Sequence, residues 1–80
     1  MSTVERVEHF IRGAFPLASG VSRNGSLVMS GTLDSMDVAK LEVWIEREFG
    51  VALGACDLTV NTADTIEDVA AFIDRRVAAR

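Results

Sequence analysis

Ser35 is the residue of this chain whose sequence surroundings best suit covalent chemistry. It follows Asp34, whose carboxylate can accept a hydrogen bond from one of the unpaired N–H groups that begin a helix. Asp37 adds a second acid to the first turn and reinforces the helix start through the macrodipole. The Ser35 hydroxyl is therefore predicted to lie at the positive end of a helix.

Catalysis by Ser35 itself is not expected, because a nucleophilic serine needs a base and a third group that orients the base. The single histidine, His9, belongs to a different predicted helix, and we interpret it as a surface residue. The single cysteine, Cys56, excludes an internal disulfide and is interpreted as a small packing residue. One histidine and one cysteine cannot assemble a metal site from the usual soft ligands.

The helix that begins at Ser35 is predicted to end at Phe49 and to have two apolar sides. On a wheel of about 100° per residue, one stripe lies within about 80° and is expected to face the core. Its members are Val38, Leu41, Ile45 and Phe49. A second stripe is centred roughly 150° away and shares its side with charged residues. This side is predicted to be a docking surface, formed by Met36, Ala39, Lys40, Val43, Glu46 and Arg47.

Several motifs of the chain resemble those of the carrier proteins of fatty-acid, polyketide and nonribosomal peptide synthesis. Leu33-Asp34-Ser35-Met36 is similar to the family's Asp-Ser-Leu or Asp-Ser-Met motif. Phe49-Gly50-Val51 resembles the end of the family's following helix, and Thr65-Ile66-Glu67-Asp68-Val69 resembles the start of its last helix. Together these motifs cover most of the chain.

The resemblance implies that Ser35 is esterified with phosphopantetheine, whose terminal thiol carries an acyl or aminoacyl group. The implied partners are a phosphopantetheinyl transferase, an acyl- or aminoacyl-loading enzyme, and downstream synthase or tailoring enzymes. Ser35 then needs no internal activation, because the transferase supplies the chemistry, and the chain is a substrate of enzymes rather than an enzyme.

The remaining segments predict an all-α fold, because no alternating strand pattern is present. A first helix is expected to begin at an N-cap Thr3 and to end near Gly13 to Pro16. Its apolar positions are Val4, Val7, Phe10, Ile11 and Ala14. Residues 16–34 are predicted to form a long connection, which is held to the core by Leu17, Val21, Leu27 and Leu33.

The C-terminal part is predicted to hold a short helix and a longer one. Residues 51–61 are expected to form a turn followed by the short helix. Thr65 is a good N-cap for the last helix, with Asp68 at its third position. The apolar stripe of this helix is Ile66, Val69, Ala70, Ile73 and Val77. The prediction is a small four-helix bundle of the acyl-carrier-protein type, with three main helices, one short helix and a long first loop.

Composition restricts the function classes. Eighty residues, 49% of them hydrophobic and 25% charged, suffice for one folded domain. A net charge of −4 argues against nucleic-acid binding and favours basic partners. No apolar run approaches the roughly 18 residues that span a bilayer, and the N-terminus lacks the features of a signal peptide. We therefore expect a cytoplasmic monomer.

Several residues depart from the usual carrier pattern and bear on the pathway. Met36 stands where many carriers have leucine, and Lys40 stands where fatty-acid carriers commonly have an acid. Trp44 is expected at the edge of the core, where its indole reduces the space for a long acyl chain. These departures favour a free-standing carrier of a specialised polyketide or nonribosomal peptide pathway. The alternatives are a housekeeping fatty-acid carrier and a helical interaction module without a prosthetic group.

Overall fold

A computed structural model describes residues 1–54, 58–59 and 62–79. In these residues the chain forms the helices α1 (Thr3–Ala14), α2 (Ser35–Phe49) and α3 (Ile66–Ala79). A short 3₁₀ turn, Pro16–Ala18, follows α1, and no strand occurs in the described residues. The prediction of an all-helical fold is confirmed. A turn and a short helix were predicted for residues 51–61; of these, residues 51–54 and 58–59 are irregular, and residues 55–57 and 60–61 lie outside the described residues.

The N-terminus of α1 is capped by Ser2, so the prediction of Thr3 as the cap is wrong. Ser2 Oγ accepts a hydrogen bond from the Glu5 N–H, and Glu5 Oε1 accepts one from the Ser2 N–H, at 3.2 and 3.0 Å. Ser2 is favoured because Glu5 stands three residues after it and completes this reciprocal pair. Thr3 instead donates from its Oγ1 to Asp74 Oδ1 at 2.7 Å and joins α1 to α3.

Helix α2 has the predicted bounds and the predicted cap. Asp34 Oδ1 accepts a hydrogen bond from the Asp37 N–H at 2.8 Å, and Asp37 Oδ2 accepts one from the Asp34 N–H at 3.2 Å. The helix ends at Gly50, which has a φ of 66° and whose N–H donates to the Glu46 carbonyl. A residue with a side chain would be strained in this left-handed conformation, so glycine suits the helix end.

The N-cap prediction for α3 is also confirmed. Thr65 Oγ1 accepts a hydrogen bond from the Asp68 N–H at 3.0 Å. Arg76, in the last turn, lies over the Phe72 ring at 4.8 Å and donates to the Ala52 carbonyl oxygen. The segment after α2 is thereby held against the C-terminal half of α3.

One core lies between the three helices. The predicted core residues that are buried are Val7, Ile11, Leu27, Leu33, Leu41, Ile45, Ile66, Val69, Ala70 and Ile73. A second group is half-buried and packs against this core; it contains Val4, Phe10, Val21, Val38, Phe49 and Val77. Two predictions are wrong, since Ala14 is exposed and Leu17 is 81% exposed. The chain leaves the helical conformation at Phe15, which is buried in their place.

Trp44 packs at the edge of the core, as predicted. It stacks on Phe10 with ring centroids 4.3 Å apart and an interplanar angle of 6°. Phe49 meets the indole edge-on at 5.5 Å, and the Arg6 guanidinium lies 4.2 Å from the centre of the Phe49 ring. This aromatic group joins α1 to α2 beside the ion pair of Arg6 with Glu48.

Candidate functional site

Ser35 is the first residue of α2, and it is exposed. The Asp34 carboxylate caps the N–H of Asp37, whereas the N–H groups of Ser35 and Met36 have no acceptor within the helix. Among the described residues no group forms a hydrogen bond with these two amides or with the Ser35 hydroxyl. The hydroxyl is therefore accessible at the positive end of the helix dipole.

An open groove of about 490 Å³ lies beside Ser35, and we call it the serine groove. Its lining residues come from α2, from the loop before α2 and from the segment after α2: Val28, Leu33, Asp34, Ser35, Val38, Ala39, Glu42 and Leu58. Most of these side chains are apolar. An apolar group attached near the Ser35 hydroxyl could therefore be partly withdrawn from water.

A second open groove, of about 380 Å³, follows the outer side of α2 and is lined by Met36, Ala39, Lys40 and Val43. It meets the serine groove at Ala39. Met36 is 70% exposed and Val43 is 47% exposed, which is unusual for large apolar side chains. Both lie on the side of α2 that was predicted to face away from the core.

The charged members of the predicted docking surface differ in their surroundings. Lys40 and Arg47 are exposed. Glu46 is half-buried, and its Oε2 accepts a hydrogen bond from the Leu53 N–H at 2.9 Å. The Glu46 carboxylate is thus engaged in holding the chain that follows α2, a role that the helix wheel did not reveal.

The loop that leads to Ser35 is fastened to the start of α3 by Asp64, which sequence reasoning missed. Asp64 Oδ1 accepts hydrogen bonds from the N–H groups of Val28 and Met29 at 2.8 and 2.9 Å. Its Oδ2 accepts one from Ser26 Oγ at 2.7 Å, and its carbonyl accepts one from the Leu27 N–H at 2.7 Å. No local sequence pattern predicts these contacts, because the partners lie 35 to 38 residues apart in the chain.

Asp64 is ionised more readily than an ordinary aspartate. Partial burial of the carboxyl opposes ionisation, but the hydrogen bonds from the Met29 N–H, the Ser26 hydroxyl and the Val28 N–H outweigh it and lower the pKa of Asp64. The charged form is therefore the one that holds the loop.

Internal hydrogen bonds also close the same loop. The Leu33 N–H donates to the Leu27 carbonyl at 2.8 Å, and Ser30 Oγ donates to the Ser26 carbonyl at 2.8 Å. Gly31 has a φ of 80°, a conformation that favours glycine. With Leu27 and Leu33 buried, the chain reaches Asp34 and Ser35 from a fixed direction.

The earlier part of the long connection is tied to α1 and α3. Arg23 forms a two-contact ion pair with Glu8, at 3.0 and 3.2 Å, which lowers the pKa of Glu8 and raises that of Arg23. Arg12 donates to the Val21 carbonyl at 2.6 Å, and the Glu67 N–H donates to the Arg23 carbonyl at 3.1 Å. These contacts fix residues 21–23 without the help of Leu17.

Among the described residues, His9 shares no groove with Ser35. His9 is exposed on α1 and lines an open groove with Met1, Glu5 and Arg12. In the described part of the chain, no three side chains of the His, Cys, Asp or Glu types are placed to hold a metal ion. Cys56 lies outside the described residues. None of the described helices combines the length and apolarity that crossing a membrane requires.

Comparison with known proteins returned no matching family model, no matching curated protein and no matching solved structure. Support for a function comes from the residues themselves and from their geometry.

Proposed function

We propose that this chain is a carrier protein that bears phosphopantetheine on Ser35. The observation that supports this most strongly is the position of the Ser35 hydroxyl, which is exposed and without a hydrogen-bond partner in the described residues at the first position of α2. The resemblance of Leu33-Asp34-Ser35-Met36 and of residues 65–69 to carrier motifs supports the same function. The finer fold prediction, a four-helix bundle of the acyl-carrier-protein type, belongs to this proposal.

The residues around Ser35 suit a phosphodiester. Ser35 Oγ provides the attachment atom, and the N–H groups of Ser35 and Met36 offer two donors to a phosphate at the positive end of the dipole. No carboxylate competes for these two amides, because Asp34 binds the N–H of Asp37. When bound, the group supplies a thiol that forms thioesters with acyl or aminoacyl groups.

The chain itself presents the phosphopantetheine group and is recognised by the enzymes that act on it. Asp34 and Asp64 fix the start of α2 and the loop before it, so Ser35 is held in one place for incoming enzymes. The exposed Met36 and Val43 provide apolar contact to the transferase, the loading enzyme and later synthase or tailoring enzymes. No catalytic group is needed on the carrier.

A specialised pathway is favoured over fatty-acid synthesis by the packing of Trp44. Its indole is stacked on Phe10 and covered at its edge by Phe49. This part of the space between α1 and α2 is therefore filled by aromatic rings, and a long acyl chain would have to displace them. We expect a short acyl or an aminoacyl cargo.

The test is modification of the purified apo-protein by a broad-specificity phosphopantetheinyl transferase with coenzyme A, followed by intact-mass measurement. One phosphopantetheinyl increment is expected on the native chain and on Ser30→Ala, and none on a folded Ser35→Ala variant. Ser30 is the matched control, since it is an exposed serine in the adjacent loop. An unmodified native chain would favour an interaction module without a prosthetic group, and an increment on Ser35→Ala would refute the site.

A further inference from the structure

The fully exposed charged side chains on the outer side of α2 are basic, although the helix sequence is acidic. Helix α2 contains four acids and two bases. Three of the acids are engaged elsewhere: Asp37 accepts from the Asp34 N–H, Glu46 accepts from the Leu53 N–H, and Glu48 pairs with Arg6. The fourth, Glu42, is half-buried and lines the serine groove. The exposed charges of α2 without a described ion pair are therefore those of Lys40 and Arg47.

Most of the other bases have local partners. Arg6, Arg12 and Arg23 form ion pairs with Glu48 or Glu8, and Arg76 donates to the Ala52 carbonyl. Within residues 1–54, 58–59 and 62–79, no carboxylate lies at ion-pair distance from Lys40, Arg47 or Arg75. Lys40 lines the groove of Met36, Ala39 and Val43, and Arg47 lies one helical turn after Val43, on a chain whose net charge is −4.

We infer that the outer side of α2 binds a protein partner that presents an apolar projection flanked by carboxylates. The apolar groove accounts for the projection, and Lys40 and Arg47 account for the carboxylates, because complementary charges at a rim speed association and exclude partners of the wrong sign. The inference deepens the proposed function and rests on it for the kind of partner, a modifying or loading enzyme. Partners with a basic patch, which the overall negative charge alone would favour, meet like charges here.

The probes are two labelled amphipathic helical peptides with the same leucine face, one flanked by glutamates and the other by lysines. Binding to the apo-protein is measured by fluorescence anisotropy at low and at high salt, and the binding site is mapped by amide chemical shifts. We expect the glutamate peptide to bind at least several-fold more tightly at low salt and to shift the amides of Met36, Ala39 and Val43. The preference is expected to disappear at about 1 M salt, where the Debye length falls to roughly 3 Å.

The matched variants are Arg47→Glu and Arg75→Glu, which make the same charge change at exposed helical arginines without a described ion pair. Arg47→Glu is expected to weaken binding of the glutamate peptide by roughly fivefold to tenfold. An exposed ion pair contributes up to about fivefold to the affinity, and reversing the charge of residue 47 adds repulsion from the glutamates. Arg75→Glu is expected to change it less than about twofold, since Arg75 lies on α3 and its field is screened over longer distances. Lys40→Glu provides an independent repeat of the Arg47→Glu result.

Several results would overturn the inference. They are equal binding of the two peptides, no measurable binding of the glutamate peptide at its solubility limit, equal weakening by both arginine variants, or shifts that map away from the outer groove. A dimer that Arg47→Glu dissociates would assign this side of α2 to a second copy of the chain instead. The measurement does not use the Ser35 hydroxyl, and a Ser35→Ala protein is expected to bind as the native does. The inference and the proposed modification can therefore fail separately.

Discussion

Replacing Asp64 with alanine is expected to detach the loop before Ser35 from α3. The substitution removes three hydrogen bonds to one ionised carboxylate, from Ser26 Oγ and from the N–H groups of Val28 and Met29. It leaves the bond between the Leu27 N–H and the Asp64 carbonyl, because that bond uses the backbone. The loop is therefore expected to lose order while the helices remain.

The size of the effect follows from those contacts. A hydrogen bond to a charged group contributes about 1.5 to 3 kcal/mol, but bonds that share one carboxylate are not additive. The amide freed at exposed Met29 can also bind water, which lowers the cost of losing its partner. We expect a loss of about 2 to 3 kcal/mol from the free energy of unfolding, out of roughly 4 to 12 kcal/mol for 80 residues.

The assay is urea unfolding at neutral pH, with hydrogen exchange of the Val28 and Met29 amides as a local readout. Asp74→Ala is the matched control: Asp74 also lies in the C-terminal region but accepts one exposed hydrogen bond, from Thr3. It is expected to cost less than about 1 kcal/mol. If Asp64→Ala costs no more than Asp74→Ala, or if the two amides exchange no faster, the assigned role of Asp64 is wrong.

The same carboxylate predicts the sign of a pH effect. The folded-state pKa of Asp64 is lowered, so its stabilisation is fully present above the unfolded-state pKa of about 3.9 and is lost as the pH falls through the folded-state value. The stability difference between the native protein and Asp64→Asn should therefore shrink in that acidic range. A difference that stays constant from neutral pH down to about pH 2 would contradict this assignment.

Two further predictions concern the two sides of α2 and its aromatic contact. Leu41→Ala, at a buried position, is expected to lower the free energy of unfolding by about 2 to 5 kcal/mol, whereas Met36→Asp, at an exposed one, is expected to change it by less than about 0.5 kcal/mol while slowing modification by the transferase. Equal thermal destabilisation by the two would show that the sides were assigned wrongly. Trp44→Ala removes a half-buried ring stacked on Phe10 and is expected to cost about 2 to 3 kcal/mol in urea unfolding followed by circular dichroism, and Trp44→Phe about 1 kcal/mol. Similar losses in both variants would mean that ring stacking contributes little.

The structural features that were predicted correctly from the sequence are those that neighbouring residues determine. The bounds and cap of α2 were predictable because Asp34 and Asp37 lie within one turn and Gly50 follows the last helical residue. The cap of α3 at Thr65 was predictable for the same reason. The exposure of Met36 and the burial of Leu41 follow from helical periodicity, which needs no knowledge of the rest of the fold.

What the sequence did not predict depends on contacts between distant segments. Phe72 lay outside the predicted stripe of α3, yet it is buried where Arg76 holds the segment after α2. Phe15 was missed because its burial depends on how the chain turns away from α1. The sequence alone indicates that Asp64 is a polar loop residue beside a helix cap. Only folding brings its carboxylate to the N–H groups of Val28 and Met29.

The placement of Asp64 bears on how Ser35 can serve as an attachment point. A cap such as Asp34 fixes the first turn of α2 but does not fix the loop that enters it. Asp64 adds this restraint by binding that loop to the start of α3. None of its contacts uses Met36 or Val43, which line the outer groove. Because the restraint and the docking surface share no residue, substitutions at Asp64 and at Arg47 should combine additively in stability and in peptide binding. Strong coupling between them would mean that the loop itself forms part of the partner-binding surface.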